Sequence, residues 1–191
     1  MIEIKIYKKE NIEEFTSDFL DNDSKLDTGS INAAAGALCA TLFKRAADSL
    51  GDGERNDYLK RNSEILRTYF IHLIDDDVKA RKGYLKEIKG GNEDNIEASR
   101  HPACTINEEV ISMLYQMLEL IDESLLLVDK SYIHYLKESA DIAIGTIRSA
   151  VNWLVDFTSY SIDDTYRYVV KRENEITLLE CEKLWKKISE F

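Results

Sequence analysis

The stretch Leu26–Leu50 limits the choice of fold more than any other part of the chain, because it joins a short turn to a helix of small residues. The turn reads Asp-Thr-Gly-Ser at positions 27–30. Small side chains then follow at nearly every position: Ala33, Ala34, Ala35, Gly36, Ala37, Cys39 and Ala40. Alanine favours a helix because it loses no side-chain entropy there. Neighbouring backbones can approach such a helix closely, so we predict a central helix with partners around it.

The first turn of this helix is a candidate ligand site. The N-terminus of a helix presents backbone N–H groups that lack intrahelical partners, together with the positive end of the helix dipole. Gly29 and Ser30 stand at that point of the sequence. We therefore predict that these two residues bind an anionic or polar ligand.

The remaining apolar residues recur at three- and four-residue steps, which is the period of amphipathic helices. This spacing predicts helices over about 11–21, 107–129, 133–157 and 162–188, and one long helical segment, Glu54–Lys89. Asn92–Ala103 contains Pro102 and is predicted to be a loop or a frayed segment. We therefore expect an all-α fold, a single-domain bundle of five or six helices that spans residues 1–191.

Residues 1–10 follow a different pattern from the rest of the chain. Ile2, Ile4 and Ile6 alternate with charged residues, and such alternation is typical of an extended chain. A single strand has no partner within a helical monomer. We interpret this segment as an extended arm, and one alternative is that the arm lies on a partner subunit.

Composition and charge exclude several classes of partner. The chain carries a formal net charge of −11, whereas nucleic-acid backbones and anionic membranes bind basic surfaces. No apolar run approaches the roughly 20 residues of a membrane span, and the N-terminus lacks the apolar core of a signal peptide. The three cysteines are widely spaced and indicate neither a metal site nor a disulfide framework. We expect a cytoplasmic protein that binds no nucleic acid, membrane or metal ion.

Three groups of residues carry a resemblance to a known family. They are Gly29-Ser30 followed by Ala34-Ala35-Gly36-Ala37-Leu38, then Ile74-Asp75-Asp76-Asp77, and finally Gly145, Asn152, Leu154 and the turn Ile162-Asp163-Asp164. With these motifs the chain resembles the formimino-tetrahydrofolate cyclodeaminase and methenyl-tetrahydrofolate cyclohydrolase family. The resemblance implies an all-helical fold, a homodimer and a folate site in a cleft near the glycine turn.

The same resemblance implies a tetrahydrofolate derivative as the substrate, with no metal required. Gly29 and Ser30 would then hold the ligand, while Asp75, Asp77 and Asn152 would position the pterin or move protons. In cyclodeamination a folate nitrogen attacks the formimino carbon and ammonia leaves, so one proton must depart and another must arrive. In the cyclohydrolase reaction water attacks the methenyl carbon and needs a base.

The sequence also departs from the family pattern. Residues 26–28 stand where relatives have a proline and two glycines, and Ile133 and His134 replace a Ser-Asp pair. His134 is either a catalytic acid or base, because histidine titrates near neutrality, or an ordinary residue of the helix surface. The aspartates at 75–77 are also consistent with a solvated helix face. The alternative function is therefore a catalytically degenerate homologue that acts as a small-molecule-binding or interaction protein.

Overall fold

Helices make up most of the chain in the computed structural model, which describes residues 7–20 and 26–191. The six α-helices are α1 (Ile12–Leu20), α2 (Thr28–Ala47), α3 (Glu54–Gly90), α4 (Glu93–Ser124), α5 (Ile133–Thr158) and α6 (Asp164–Glu190). Short 3-10 turns occupy Tyr7–Lys9 and Lys130–Tyr132, and no strand occurs within the described ranges. The predicted all-α bundle of five or six helices is confirmed.

α2 is the central helix of the bundle, as its small side chains predict, because it packs against α3, α4 and α5. Several of its small residues are fully buried, among them Ala33, Cys39 and Ala40. At Gly36 an added Cβ would lie 2.6 Å from the ring of Phe70 on α3, so the observed approach of the two helices requires glycine. Burial of this surface against three neighbours stabilises α2 through the hydrophobic effect.

Side-chain caps set the starts of several helices. At α1 the Glu14 N–H donates to Asn11 Oδ1 at 2.9 Å and the Asn11 N–H donates to Glu14 Oε2 at 3.3 Å, and this reciprocal pair is a capping box. At α2 the Thr28 N–H donates to Asp27 Oδ1 at 2.8 Å. These caps satisfy N–H groups that have no partner within the helix.

The predicted extended arm, residues 1–10, falls largely outside the described residues. Its described part is not extended, because Tyr7–Lys9 forms a 3-10 turn. The Lys8 N–H donates to Asp75 Oδ1 at 3.3 Å, and the Lys8 ammonium lies 3.6 Å from Asp75 Oδ2. The same ammonium lies 2.9 Å from His72 Nδ1. This turn is therefore held on α3 of its own chain.

The predicted loop Asn92–Ala103 is wrong, since α4 begins directly after Asn92 and continues through Pro102. Asn92 caps the helix by accepting a backbone N–H of the first turn at 2.9 Å. A proline in a helix interior removes one backbone hydrogen bond and costs roughly 3 kcal/mol. Burial of Arg100 and Cys104 against the rest of the bundle offsets this cost and keeps the segment helical.

One end of the bundle holds the start of α2. There Gly29 contacts Asp77 of α3, and because Gly36 contacts Phe70 the two helices run antiparallel. Further along α3, a tyrosine packs edge-on against Phe157 near the end of α5, with ring centres 5.0 Å apart. This end therefore gathers the start of α2, the second half of α3 and the end of α5.

Candidate functional site

Asp77 is buried where α3 lies against the start of α2, and its exposed fraction is 4%. Its Oδ2 atom accepts two hydrogen bonds from Ser30, one from the N–H at 2.8 Å and one from the hydroxyl at 2.6 Å. Ser30 is itself fully buried. The first turn of α2, where the sequence suggests that an anionic ligand binds, thus contacts a carboxyl group of the protein's own α3.

Gly29 makes room for this carboxyl group. A Cβ at position 29 would clash with Asp77 Oδ1 and would lie 2.7 Å from Asp77 Cγ. The backbone at this residue is ordinary helix, so the requirement for glycine comes from the contact and not from the torsion angles. Gly29 and Ser30 therefore both hold Asp77 in place. Gly29 leaves the space that the carboxyl group fills, and Ser30 donates two hydrogen bonds to it.

The environment of Asp77 changes its acidity. The surroundings of Asp77 raise its pKa from an ordinary value of 3.8 to about 6; burial is the largest cause, and the nearby negative charge of Asp27 acts in the same direction. The hydrogen bonds from Ser30 and the positive charge of Arg81 lower the pKa of Asp77, but by less. A carboxyl group with this pKa can both accept and donate a proton near neutral pH.

Asp27 and Arg81 form an ion pair at the edge of this buried group. Arg81 Nε lies 3.2 Å from Asp27 Oδ2, while the other oxygen of Asp27 caps α2. Arg81 follows Asp77 by about one turn of α3. Its side chain keeps 30% of its exposure, and that of Asp27 keeps 22%, so both can be reached from solvent. The site therefore has a charged rim above a buried proton-exchanging group.

An aromatic cluster continues from this rim. The Arg81 guanidinium carbon is 5.9 Å from the ring centre of Tyr84. Phe157 packs against Tyr84 and also stacks on Trp153, with ring centres 4.4 Å apart and planes 15° apart. The buried Arg100 donates to the carbonyl of Phe157 at 3.0 Å and fixes this end of α5. Flat apolar rings beside a charged pair suit a ligand that combines an aromatic ring with polar groups.

The structure brings together only part of the predicted site. Asp77, Gly29 and Ser30 meet, whereas Asp75 faces the N-terminal turn and pairs with Lys8. The reason is helical geometry, because residues two positions apart on a helix point about 200° apart. The two aspartates therefore have different surroundings, although they lie close together in the sequence.

Asn152 and His134 lie towards opposite ends of α5. Eighteen residues separate them, so they stand about 27 Å apart along the helix axis. Asn152 is exposed near the end of α5 that contacts Tyr84, and it therefore shares the end of the bundle that holds Asp77. His134 is exposed at the start of α5, where its ring packs against Tyr135 at 4.0 Å. One small ligand cannot contact both residues within a single chain.

Sequence reasoning missed the aromatic cluster and a buried amide pair. The Asn32 amide donates to Asn107 Oδ1 at 2.9 Å, and both side chains are buried between α2 and α4. Asn107 Nδ2 has no hydrogen-bond partner among the described residues. The available signal is a polar residue within an apolar helical stripe, since Asn107 lies between Cys104 and Val110 on the buried face of α4.

The described residues contain no side-chain arrangement suited to metal binding or to thiol chemistry. No group of three or more His, Cys, Asp or Glu side chains there is placed to hold a metal ion. Cys39, Cys104 and Cys181 are buried and form no disulfide, and burial raises the pKa of the Cys39 thiol to about 12. Within the same ranges, no helix is both long enough and apolar enough to cross a membrane.

These features define an all-α bundle with a protonatable carboxyl group buried at the start of its central helix. Its fold is that of formiminotetrahydrofolate cyclodeaminase from Thermotoga maritima, whose crystal structure matches this one with a TM-score of 0.85. The match covers 96% of this chain and 97% of that chain at 16% sequence identity. No family model and no curated protein matches the sequence. The fold that the sequence resemblance implies is thereby confirmed.

Proposed function

We propose that this chain binds a tetrahydrofolate derivative and acts as a formiminotetrahydrofolate cyclodeaminase or a methenyl-tetrahydrofolate cyclohydrolase. The fold shared with the Thermotoga maritima cyclodeaminase supports the class of substrate. The observation that carries the proposal is Asp77, a carboxyl group buried against Gly29 and Ser30 with a pKa raised to about 6.

Asp77 supplies the proton transfers in this proposal. In cyclodeamination its carboxylate takes the proton from the attacking folate nitrogen as the new C–N bond forms. The formimino group reacts as its protonated amidine, whose terminal nitrogen carries two hydrogens, so the proton that the carboxylic acid then gives to this nitrogen lets it leave as ammonia when its bond to carbon breaks. In the cyclohydrolase reaction the same carboxylate takes a proton from the water that attacks the methenyl carbon. A pKa near the working pH favours both directions of transfer.

The surrounding residues bind and orient the folate. Arg81 offers guanidinium N–H donors to a carbonyl or carboxylate of the ligand. Asn152 supplies an amide donor and acceptor at the same end of the bundle. The proposal assigns proton transfer to Asp77 and not to Asp75 or His134, since these two lie on other surfaces of the bundle.

The protein is, in the same proposal, a cytoplasmic homodimer whose ligand is a folate and whose reaction needs no metal ion. The resemblance to the family supports the dimer. The net charge of −11 supports the absence of nucleic-acid and membrane partners. A folate with several glutamates would bind beside a local cation, and we assign this role to Arg81, whose side chain keeps 30% of its exposure.

The experiment is turnover of methenyl-tetrahydrofolate and of formiminotetrahydrofolate by the purified protein, followed by absorbance against the buffer rate. Asp77→Asn is compared with Asp76→Asn, a matched control because Asp76 is exposed and pairs with Lys79 at 2.6 Å. Loss of general acid–base catalysis lowers a rate by about 100-fold or more, so Asp77→Asn should do so while Asp76→Asn leaves the rate unchanged. A wild-type protein that accelerates neither reaction would contradict the enzyme proposal.

A second function is favoured by one observation. Gly29 and Ser30 are already occupied by Asp77, so the turn that binds ligand in the first interpretation is closed by the protein itself. A degenerate homologue that binds a folate or another small molecule without converting it would have this arrangement. Calorimetric titration with tetrahydrofolate separates the two functions, because binding without turnover supports the second.

A further inference from the structure

Arg100 joins α4 to the end of α5 through its guanidinium group. Its Nη1 donates to the carbonyl of Phe157 at 3.0 Å, its Nη2 donates to the carbonyl of Tyr160 at 3.1 Å, and its Nε donates to Glu97 Oε2 at 3.2 Å. The side chain of Arg100 keeps only 5% of its exposure. A guanidinium group presents its N–H donors in a rigid, planar fork, so one arginine can hold all three acceptors in a fixed geometry.

The carbonyl of Phe157 needs a partner from outside α5. The last four carbonyl groups of a helix have no partner within it, and Phe157 is the last residue but one of α5. The positive charge of Arg100 also suits the negative end of the α5 dipole. Arg100 therefore completes the hydrogen bonding at the end of α5 and fixes where this end lies.

Glu97 holds the chain that follows α5. Its carboxylate accepts the hydroxyl of Ser161, which is buried, and the N–H of Ile162 at 3.4 Å. Burial raises the pKa of Glu97, but the hydrogen bonds from Ser161 and Arg100 lower it by more, so the net shift of this pKa is downward. Glu97 therefore stays ionised near neutral pH, and its charge aims the guanidinium of Arg100 at the end of α5.

The end of α5 that Arg100 holds carries the aromatic side of the candidate site. Phe157 and Trp153 are half-buried and stack with their ring centres 4.4 Å apart. The guanidinium carbon of Arg100 lies 5.2 Å from the ring centre of Phe157 and 5.6 Å from that of Tyr84 on α3. Arg100 thus packs between a ring of α5 and a ring of α3. It is too buried to contact a ligand, so its effect on binding must pass through these rings.

We infer that Arg100, aimed by Glu97, is a positioning residue of the candidate site. It sets the place of the ring pair, Phe157 and Trp153, relative to the charged rim and the buried carboxyl group on α3. It thereby sets how tightly the ligand is held, and it takes no part in proton transfer. The inference rests on the proposed function for the identity of the ligand, whereas the position of the ring pair can be measured without any ligand.

The first test is turnover of methenyl-tetrahydrofolate and of formiminotetrahydrofolate by Arg100→Lys, which keeps a positive charge beside Glu97 but offers one nitrogen in place of three. We expect KM to rise by about tenfold or more because the ring pair is displaced, while kcat stays within about twofold because Asp77 is untouched. The matched control is Arg67→Lys, since Arg67 pairs with Glu64 of its own helix at the same three-residue spacing. This control should leave both constants unchanged.

The second test needs no ligand. In a Trp185→Phe background Trp153 is the only tryptophan of the chain, so its fluorescence reports on the ring pair. Arg100→Lys should shift this emission to longer wavelength and increase its quenching by acrylamide, because the end of α5 opens more readily. Arg67→Lys should change neither property. Glu97→Gln leaves Arg100 in place and removes only the charge that aims it, so both properties should change in the same direction but by less.

Circular dichroism checks that each variant remains helical, and Glu97→Gln decides the question if Arg100→Lys does not fold. The inference is overturned if Arg100→Lys lowers kcat and leaves KM unchanged, if the fluorescence of Trp153 stays that of the wild type, or if Arg67→Lys has the same effects. A wild type that neither binds nor converts a folate contradicts the proposed function alone. The fluorescence of Trp153 then still shows whether Arg100 positions the ring pair.

Discussion

The carboxyl group of Asp77 occupies the space that a Cβ on residue 29 would need, with Asp77 Cγ only 2.7 Å from that position. The side chain that lies against Gly29 therefore comes from 48 residues further along the chain. The contact explains why a glycine stands in the first turn of a helix that otherwise favours alanine. It also makes the state of one carboxyl group depend on how closely two helices approach.

Gly29→Ala should destabilise the protein. An alanine normally stabilises a helix interior by up to about 1 kcal/mol relative to glycine, but here its methyl group must displace a buried carboxyl. Overpacking of this kind costs roughly 1–3 kcal/mol in the free energy of unfolding. The matched control is Gly145→Ala in α5, where an added Cβ meets nothing within 4 Å and should stabilise. Urea denaturation measures the free energy of unfolding of both variants. Equal changes in that free energy would contradict a close contact between Gly29 and Asp77.

The raised pKa of Asp77 predicts a pH dependence of stability. The native pKa of about 6 exceeds the unfolded value near 3.9, so the native state binds more protons between roughly pH 4 and pH 6. The free energy of unfolding should therefore fall as the pH rises through this window, by about 2–3 kcal/mol from this group. Asp77→Asn should remove that part of the dependence, whereas Asp76→Asn should retain it. Urea denaturation between pH 4 and pH 7 makes the comparison, and parallel curves for wild type and Asp77→Asn would contradict it.

Ser30→Ala should raise the pKa of Asp77 further. The Ser30 hydroxyl donates to Asp77 Oδ2 at 2.6 Å and stabilises the ionised form, so its removal favours the proton. The expected stability loss is about 1–3 kcal/mol, the range for a hydrogen bond to a charged group. Ser63→Ala is the control, because that buried hydroxyl donates only to the Lys60 carbonyl at 2.7 Å. Carboxyl chemical shifts against pH give the result, and an unchanged Asp77 titration would count against this assignment.

Pro102→Ala should stabilise the protein. α4 continues through Pro102, whose side chain is exposed, so the substitution restores a backbone hydrogen bond without disturbing the core. The gain should be about 2 kcal/mol, since proline costs roughly 3 kcal/mol in a helix interior but also restricts the unfolded chain. Thermal and urea denaturation report the change. A loss of stability would show that the chain at this position is not an ordinary helix.

The helices could be predicted from the sequence because each carries its own local signals. Periodic apolar residues locate α3 and α5 within one or two residues, and the Asn11–Glu14 pair locates the start of α1. Pro102 misled the prediction because proline usually ends helices, and only the burial of neighbouring residues in the folded bundle shows that it does not.

The site could be predicted only in part, because it depends on contacts between helices. In the sequence Asp75 and Asp77 are equally good candidates for the site, because no local signal shows which of the two side chains faces α2. In three dimensions the two differ, because the space beside Gly29 is filled by Asp77. His134 is a candidate because it stands where relatives carry a Ser-Asp pair and because histidine titrates near neutrality, but the length of α5 separates it from Asn152.

Gly29 and Gly36 are seven residues apart on α2, and the side chains that they accommodate, Asp77 and Phe70, are seven residues apart on α3. Because each glycine leaves room for one large side chain of α3, the two glycines together fix the axial register of α3 against α2. A slip of one turn, about 5.4 Å, would press both large side chains onto positions that carry a Cβ. The contact between Gly29 and Asp77 therefore contributes both to the alignment of the two helices and to the burial that raises the pKa of Asp77. A homologue without catalytic activity would therefore still have a structural reason to keep this glycine and this aspartate.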